Sequence, residues 1–148
     1  MRLPAPPSVP MMVLRSVATV LISAIIAQAG WAAAALGGEP HYWRNHAVGA
    51  PITLGLCVAA AAVYVVMRRS AGPINVGLAV GLAVAVAAQY GLGEAHVIGW
   101  HVFLGTLIAM LVTALTSWTY RHDDRAPRRP REPRRPGEPG EHQGQERP

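Results

Sequence analysis

Two stretches of this 148-residue chain hold most of its candidate chemistry. Gly38-Glu39-Pro40-His41-Tyr42-Trp43-Arg44-Asn45-His46 is echoed by Gly93-Glu94-Ala95-His96-Val97-Ile98-Gly99-Trp100-His101, and both read G-E-x-H-x-x-x-x-H. Imidazole and carboxylate ligate metals and move protons, so a repeated set of them points to metal ligation or proton handling. A glycine follows each final histidine by about one helical turn, Gly49 after His46 and Gly105 after His101. Each copy stands where a long apolar run begins, the pattern of a duplicated unit.

The elements that must position these residues are membrane spans. With 51% hydrophobic and 14% charged residues, the chain is too apolar for an ordinary soluble domain and has room for only one domain. Four apolar stretches, 16–36, 47–67, 74–92 and 97–118, are each about long enough to cross a bilayer as a helix. They are apolar around the whole circumference, as lipid-facing or bundle-buried helices are. The expected fold is therefore an all-α, integral membrane four-helix bundle over 16–120, after an N-terminal segment 1–15 and before an arginine- and proline-rich tail 121–148. That tail has no apolar residues to anchor a core and is expected to be disordered; its arginines are placed to touch anionic lipid. A competing expectation for the first span is a cleaved signal peptide, with Arg2 and Arg15 as its basic region and Ala27-Gln28-Ala29 as its cleavage site.

Charge sets the expected topology. Arg15, Arg68, Arg69 and the tail arginines fall on one side of the spans, with Arg44 alone on the other, so the positive-inside rule puts both termini in the cytoplasm. Arginine without lysine, and plentiful alanine, glycine and proline, suggest a GC-rich bacterial genome and a plasma-membrane location. Of eight acidic residues only Glu39 and Glu94 precede the tail, and both belong to the repeat. Ala27-Gln28-Ala29-Gly30 also matches Ala88-Gln89-Tyr90-Gly91, with Trp31 to Leu36 extra in the first copy, so each unit is a helical hairpin. Two hairpins that both start and end inside form a parallel repeat about an axis along the membrane normal. The second and fourth helices become symmetry mates, and His46 and His101 then approach that axis from opposite sides, near the outer surface.

Histidine in the first turn of a membrane helix is costly unless paired, wetted or liganded. Two equivalent histidines suit a haem iron, which accepts an imidazole from each side of its plane. Gly49 and Gly105 then leave open space for the flat macrocycle, although glycines also serve simple close packing. The deeper pair, His46 and His101, is the axial choice. His41 and His96 fall in the loops, where propionate contact, proton relay or plain interfacial placement are all open. Arg44 has a planar fork suited to a propionate. Gln28 and Gln89 are polar groups within spans, most simply interhelical hydrogen-bonding residues. Pro51 is expected to kink the second span just below His46, or to mark His46 as preceding that helix. The single Cys57 reads as a small buried hydrophobe.

A histidine on the second helix and another on the fourth, as His46 and His101 stand, resemble one half of haem A synthase, a family in which each four-helix half is suited to haem. The resemblance covers about residues 16–120. It implies His46 and His101 as axial ligands of a haem b and, more loosely, Glu39 and Glu94 as acidic neighbours; a homodimer would restore eight helices. The family places its glutamate three residues before a histidine that arginine follows, whereas Glu39 is two before His41 and Ala47 follows His46. The chain is similar also to small actinobacterial four-span membrane proteins.

The expected function is electron transfer or haem handling by a membrane b-type haem protein whose redox partner the residues do not specify. Two other classes stand beside it. Glu39, His41, His46 and their counterparts Glu94, His96 and His101 offer ligands for Zn or Cu on the outer face. Alternatively the chain is a structural or partner-binding membrane subunit without a cofactor. No phosphate-binding loop, nucleophile–base set or nucleic-acid signature is present, and whether the chain is an enzyme is left open.

Overall fold

The structure, a computed structural model, describes residues 6–124. They form four α-helices: α1 (Val9–Leu36), α2 (Tyr42–Val66), α3 (Arg68–Glu94) and α4 (Ile98–Arg121). All four are long and apolar enough to cross a membrane, with mean hydropathy of 1.9 to 2.0 over their most apolar stretches. Only 17 to 28% of each stretch is buried. Exposed large side chains such as Ile26, Val58, Val84 and Met110 therefore cover the outside of the bundle. A surface of that kind matches lipid rather than water. The all-α, four-helix class expected from the sequence is what the chain forms.

Each helix packs on the next along the chain, and α1 also packs on α4, which closes the ring. α1 and α3 approach weakly across one diagonal, whereas α2 and α4 have no such approach across the other. The wider diagonal thus separates the two helices that carry His46 and His101. The core is built from small residues, Ala18, Ala60, Ala71, Ala79 and Cys57, set among Leu14, Leu21, Leu82, Val112 and Leu115. Small side chains let helix backbones approach, a main source of helix association where lipid is as apolar as leucine.

The helix limits differ from the hydropathy limits for local reasons. α1 begins at Val9, inside the segment expected to precede the first span. Ser8 accepts a hydrogen bond from the Met11 amide at 3.3 Å as N-cap, and Pro10 sits in the first turn, where its missing N–H costs nothing. α2 begins at Tyr42, so His46 lies inside the helix, and the helix continues through Pro51. Between α2 and the third span, Arg68 to Ala71 makes one turn before Gly72, at φ 77° and ψ 160°, breaks the helical path and Pro73 restarts it. Ala27-Gln28-Ala29 lies within α1, in its second half. Of the tail expected over 121–148, Arg121 closes α4 and His122 caps it, with Asp123 and Asp124 following; the rest lies outside the described residues, as do residues 1–5.

Polar contacts hold the end of the bundle where the termini lie. The Tyr64 hydroxyl donates to the Leu14 carbonyl at 3.2 Å and hydrogen-bonds Thr119 Oγ1 at 2.8 Å, while Asn75 Nδ2 donates to the Ala71 carbonyl at 2.9 Å. Tyr64, Thr119 and Asn75 are all buried. Tyr64→Phe removes the one hydroxyl that links α2 to both α1 and α4 and is expected to lower stability by about 1–3 kcal/mol. Thermal unfolding in detergent, followed by circular dichroism, checks this: the midpoint falls while helix content is kept, and an unchanged midpoint contradicts it. Nearer the surface, Arg15 donates to the carbonyls of Tyr120 and His122 at 3.2 and 3.4 Å, and Ser8 donates to Asp124 Oδ2 at 2.6 Å. These contacts tie the start of α1 to the end of α4.

Candidate functional site

At the opposite end, two short loops set the histidine helices. After α1, the Gly37 amide bonds the Ala33 carbonyl at 2.9 Å, and Gly38 takes φ 108°, a left-handed conformation that suits glycine. His41 is the N-cap of α2. After α3 the path is different. Glu94 is the last helical residue, and His96 itself takes φ 56°, with its Nδ1 2.9 Å from the Glu94 carbonyl. The first halves of the two G-E-x-H-x-x-x-x-H copies therefore adopt different conformations.

The four outer groups of the motif stay at the surface. His41 Nδ1 lies 3.6 Å from Glu39 Oε2, with both side chains about two-thirds exposed, at 64% and 66%. An ion pair so exposed contributes little. Glu94, His96 and Arg44 are exposed as well.

The final histidines behave alike. His46 Nδ1 is 3.1 Å from the backbone oxygen of Gln28 on α1, and His101 Nδ1 is 3.0 Å from the backbone oxygen of Gln89 on α3. A carbonyl only accepts, so each Nδ1 carries a proton and donates it, and Nε2 of the neutral ring keeps a free lone pair. Across the wide diagonal the two ring centres stand 6.2 Å apart, with planes crossing at 79°. Trp43 sets its ring edge-on to His46 at 6.1 Å. His101 lies on Gly93, where an added Cβ would come within 3.1 Å of its Cε1.

Both glutamines serve this pair through their backbone, while their side chains fill the neighbouring space. Gln28 Nε2 donates to Thr53 Oγ1 at 3.3 Å, and Oε1 of each glutamine is buried without a hydrogen-bond partner. The two glycines make room for these amides. A Cβ at Gly49 would collide with the Gln28 amide and lie 2.6 Å from Trp31, and one at Gly105 would lie 3.1 Å from Gln89 Nε2. Gly49 is buried against α1 and Gly105 lines a cavity, so only one of the two borders open space.

That cavity, about 470 Å³, has both imidazoles and both glutamines in its wall, and the remainder is almost wholly apolar. Its volume falls in the range of small-molecule and cofactor sites, about 300–1,000 Å³. The larger ligand set expected for Zn or Cu does not assemble: among the described residues no three His, Cys, Asp or Glu side chains gather to hold an ion. The reason is the geometry just given, with Glu39, His41, Glu94 and His96 turned to the surface. Cys57 is buried, as a small hydrophobe would be.

Sequence reasoning alone does not foresee the contacts that Thr53, Trp31 and Gly93 make at the site, although Gly93 opens the second motif copy. For Thr53 a signal exists, because His46, Ala50 and Thr53 share a helix face at i, i+4 and i+7. For Trp31 and Gly93 none does, since their contacts depend on how α1 meets α2 and how α3 meets α4. No family model matches this chain, and neither the curated proteins nor the solved structures give a match.

Proposed function

We propose that this chain is a membrane b-type haem protein that holds one haem between His46 and His101. The observation that carries the proposal is the spacing of the two rings. With metal–imidazole bonds of about 2 Å and a ring nitrogen about 1 Å from the ring centre, two imidazoles on opposite sides of one metal have centres about 6 Å apart. The centres here are 6.2 Å apart. Each Nδ1 is spent on a carbonyl, which fixes the ring and leaves Nε2 as the ligating atom, the usual arrangement around a metal-bound histidine. A cavity of about 470 Å³ with an apolar wall beside them suits a macrocycle.

A haem ligated on both faces has no open coordination position, which favours electron transfer or haem handling over oxygen chemistry. The chain's own residues hold the two imidazoles through the Gln28 and Gln89 carbonyls and keep water out with apolar helix faces. Arg44, exposed in the first turn of α2, has a planar fork suited to a propionate. The same proposal includes a parallel two-hairpin repeat, cytoplasmic termini, a site near the outer face of a bacterial plasma membrane and relatedness to one half of haem A synthase. A homodimer and a separate redox partner complete it. The test is a haem titration of the purified protein in detergent, expected to saturate at one haem per chain with low-spin spectra. A folded protein that takes up no haem defeats it.

A further inference from the structure

The cavity has a direction. Its exposed lining residues all belong to the first and last helices: Ala29, Ala33 and Leu36 on α1, and Val102, Thr106 and Ala109 on α4. From α2 and α3 come only buried or half-buried residues, among them Ala50, Thr53, Val86 and Gln89. Neither loop, 37–41 or 95–97, contributes to the wall. The site is thus closed behind by α2 and α3, and it opens sideways along the α1–α4 seam on an apolar surface of the bundle.

The chain's connectivity explains why this seam opens. Loops join α1 to α2 and α3 to α4 at the histidine end, and α2 meets α3 at the other, so α1 and α4 have no covalent link. The two helices pack on each other, but the side-chain hydrogen bonds that join them all lie at the terminal end, where Ser8, Arg15 and Thr19 meet Tyr120, His122 and Asp124. Toward the histidines the seam is bordered by small residues, and the segment Trp31 to Leu36, which has no counterpart before α4, lengthens the α1 wall. From Ile25 to Leu36 that wall rises about 16 Å, at about 1.5 Å per residue.

Resting on the haem reading above, we infer that the α1–α4 seam is the entrance to the site, and that the macrocycle reaches His46 and His101 from the bilayer rather than from water. An amphipathic tetrapyrrole dissolved in lipid holds its ring among the acyl chains and its carboxylates at the headgroups. The mouth offers such a ligand an apolar slot below the loop level, with the imidazoles inside it.

The test uses the full chain in lipid vesicles, in a Cys57→Ala background carrying Ala50→Cys on the back wall. An uncharged, lipid-partitioning maleimide is expected to label Ala50→Cys, and a charged, membrane-impermeant maleimide is not. Filling the mouth with Ala33→Trp, or independently with Thr106→Trp, slows that labelling about tenfold. Gly77→Trp, at an exposed α3 position with open space around it, does not. In parallel, transfer of haem from preloaded vesicles slows to a similar degree in the mouth variants. Equal labelling by the charged reagent, or rates indifferent to both tryptophans, overturns the entrance. If the wild-type chain takes up no haem, the haem reading fails, while the maleimide result still decides where the cavity opens.

Discussion

Replacing either His46 or His101 by alanine is expected to convert the bound haem from low-spin to high-spin and to weaken its binding more than tenfold. Replacing both is expected to abolish binding. Loss of an outer-shell partner of a metal ligand already costs about 10- to 100-fold in affinity, so loss of the ligand itself costs at least as much. The helices should survive the change. Alanine is the better helix former, and the Gln28 and Gln89 carbonyls keep their places in the α1 and α3 helices. His41→Ala and His96→Ala are expected to leave the low-spin bands in place, because both rings stand at the surface, one beside Glu39 and the other on the Glu94 carbonyl. Visible spectra of the five variants beside wild type, with circular dichroism to verify folding, check the whole set. Low-spin bands surviving in His46→Ala or His101→Ala would assign the iron elsewhere.

The second large effect is expected at Gly49. A leucine there must displace both Trp31 and the Gln28 side chain, since a Cβ alone already lies 2.6 Å from the indole and overlaps the amide. Overpacking a tight helix contact costs about 1–3 kcal/mol. It also moves the segment of α1 whose Gln28 carbonyl holds the His46 ring, so haem affinity falls together with thermal stability. Gly105→Leu is expected to separate the two effects. Its neighbour is the end of the flexible Gln89 side chain and its other side is the cavity, so binding suffers more than stability. Gly55→Leu, with nothing within 4 Å of an added Cβ, is the neutral control. Unfolding midpoints and haem titrations of the three variants measure this, and a Gly49→Leu protein as stable as wild type contradicts it.

The four long apolar helices are legible in the sequence, because hydropathy runs and charge breaks mark them, and the repeat makes legible the approach of the final histidine of one motif copy to that of the other. The fate of the rest of the motif is not. Both copies contain a glycine, a glutamate and a histidine in the same order, but Gly38 takes the left-handed turn in one and His96 in the other. Loop length and the helix ends that the loop must join decide that, and neither is encoded in the shared letters. The glycines show the same limit. Spacing places Gly49 and Gly105 near the faces of their histidines, yet whether the space they leave holds a ligand or a neighbouring glutamine depends on the approach of α1 and α3. The early start of α1 was readable from local chemistry, since Ser8 and Pro10 form a helix-starting pair that an apolar count beginning at Ser16 passes over.

The most direct test of haem held between His46 and His101 is the reduced-minus-oxidised visible spectrum of the detergent-purified protein, produced with haem available and compared with the His46→Ala, His101→Ala double variant. Sharp low-spin b-type bands at one haem per chain, absent from the folded double variant, are the predicted result. No Soret absorption in the wild-type protein, or the same bands in both proteins, would contradict it.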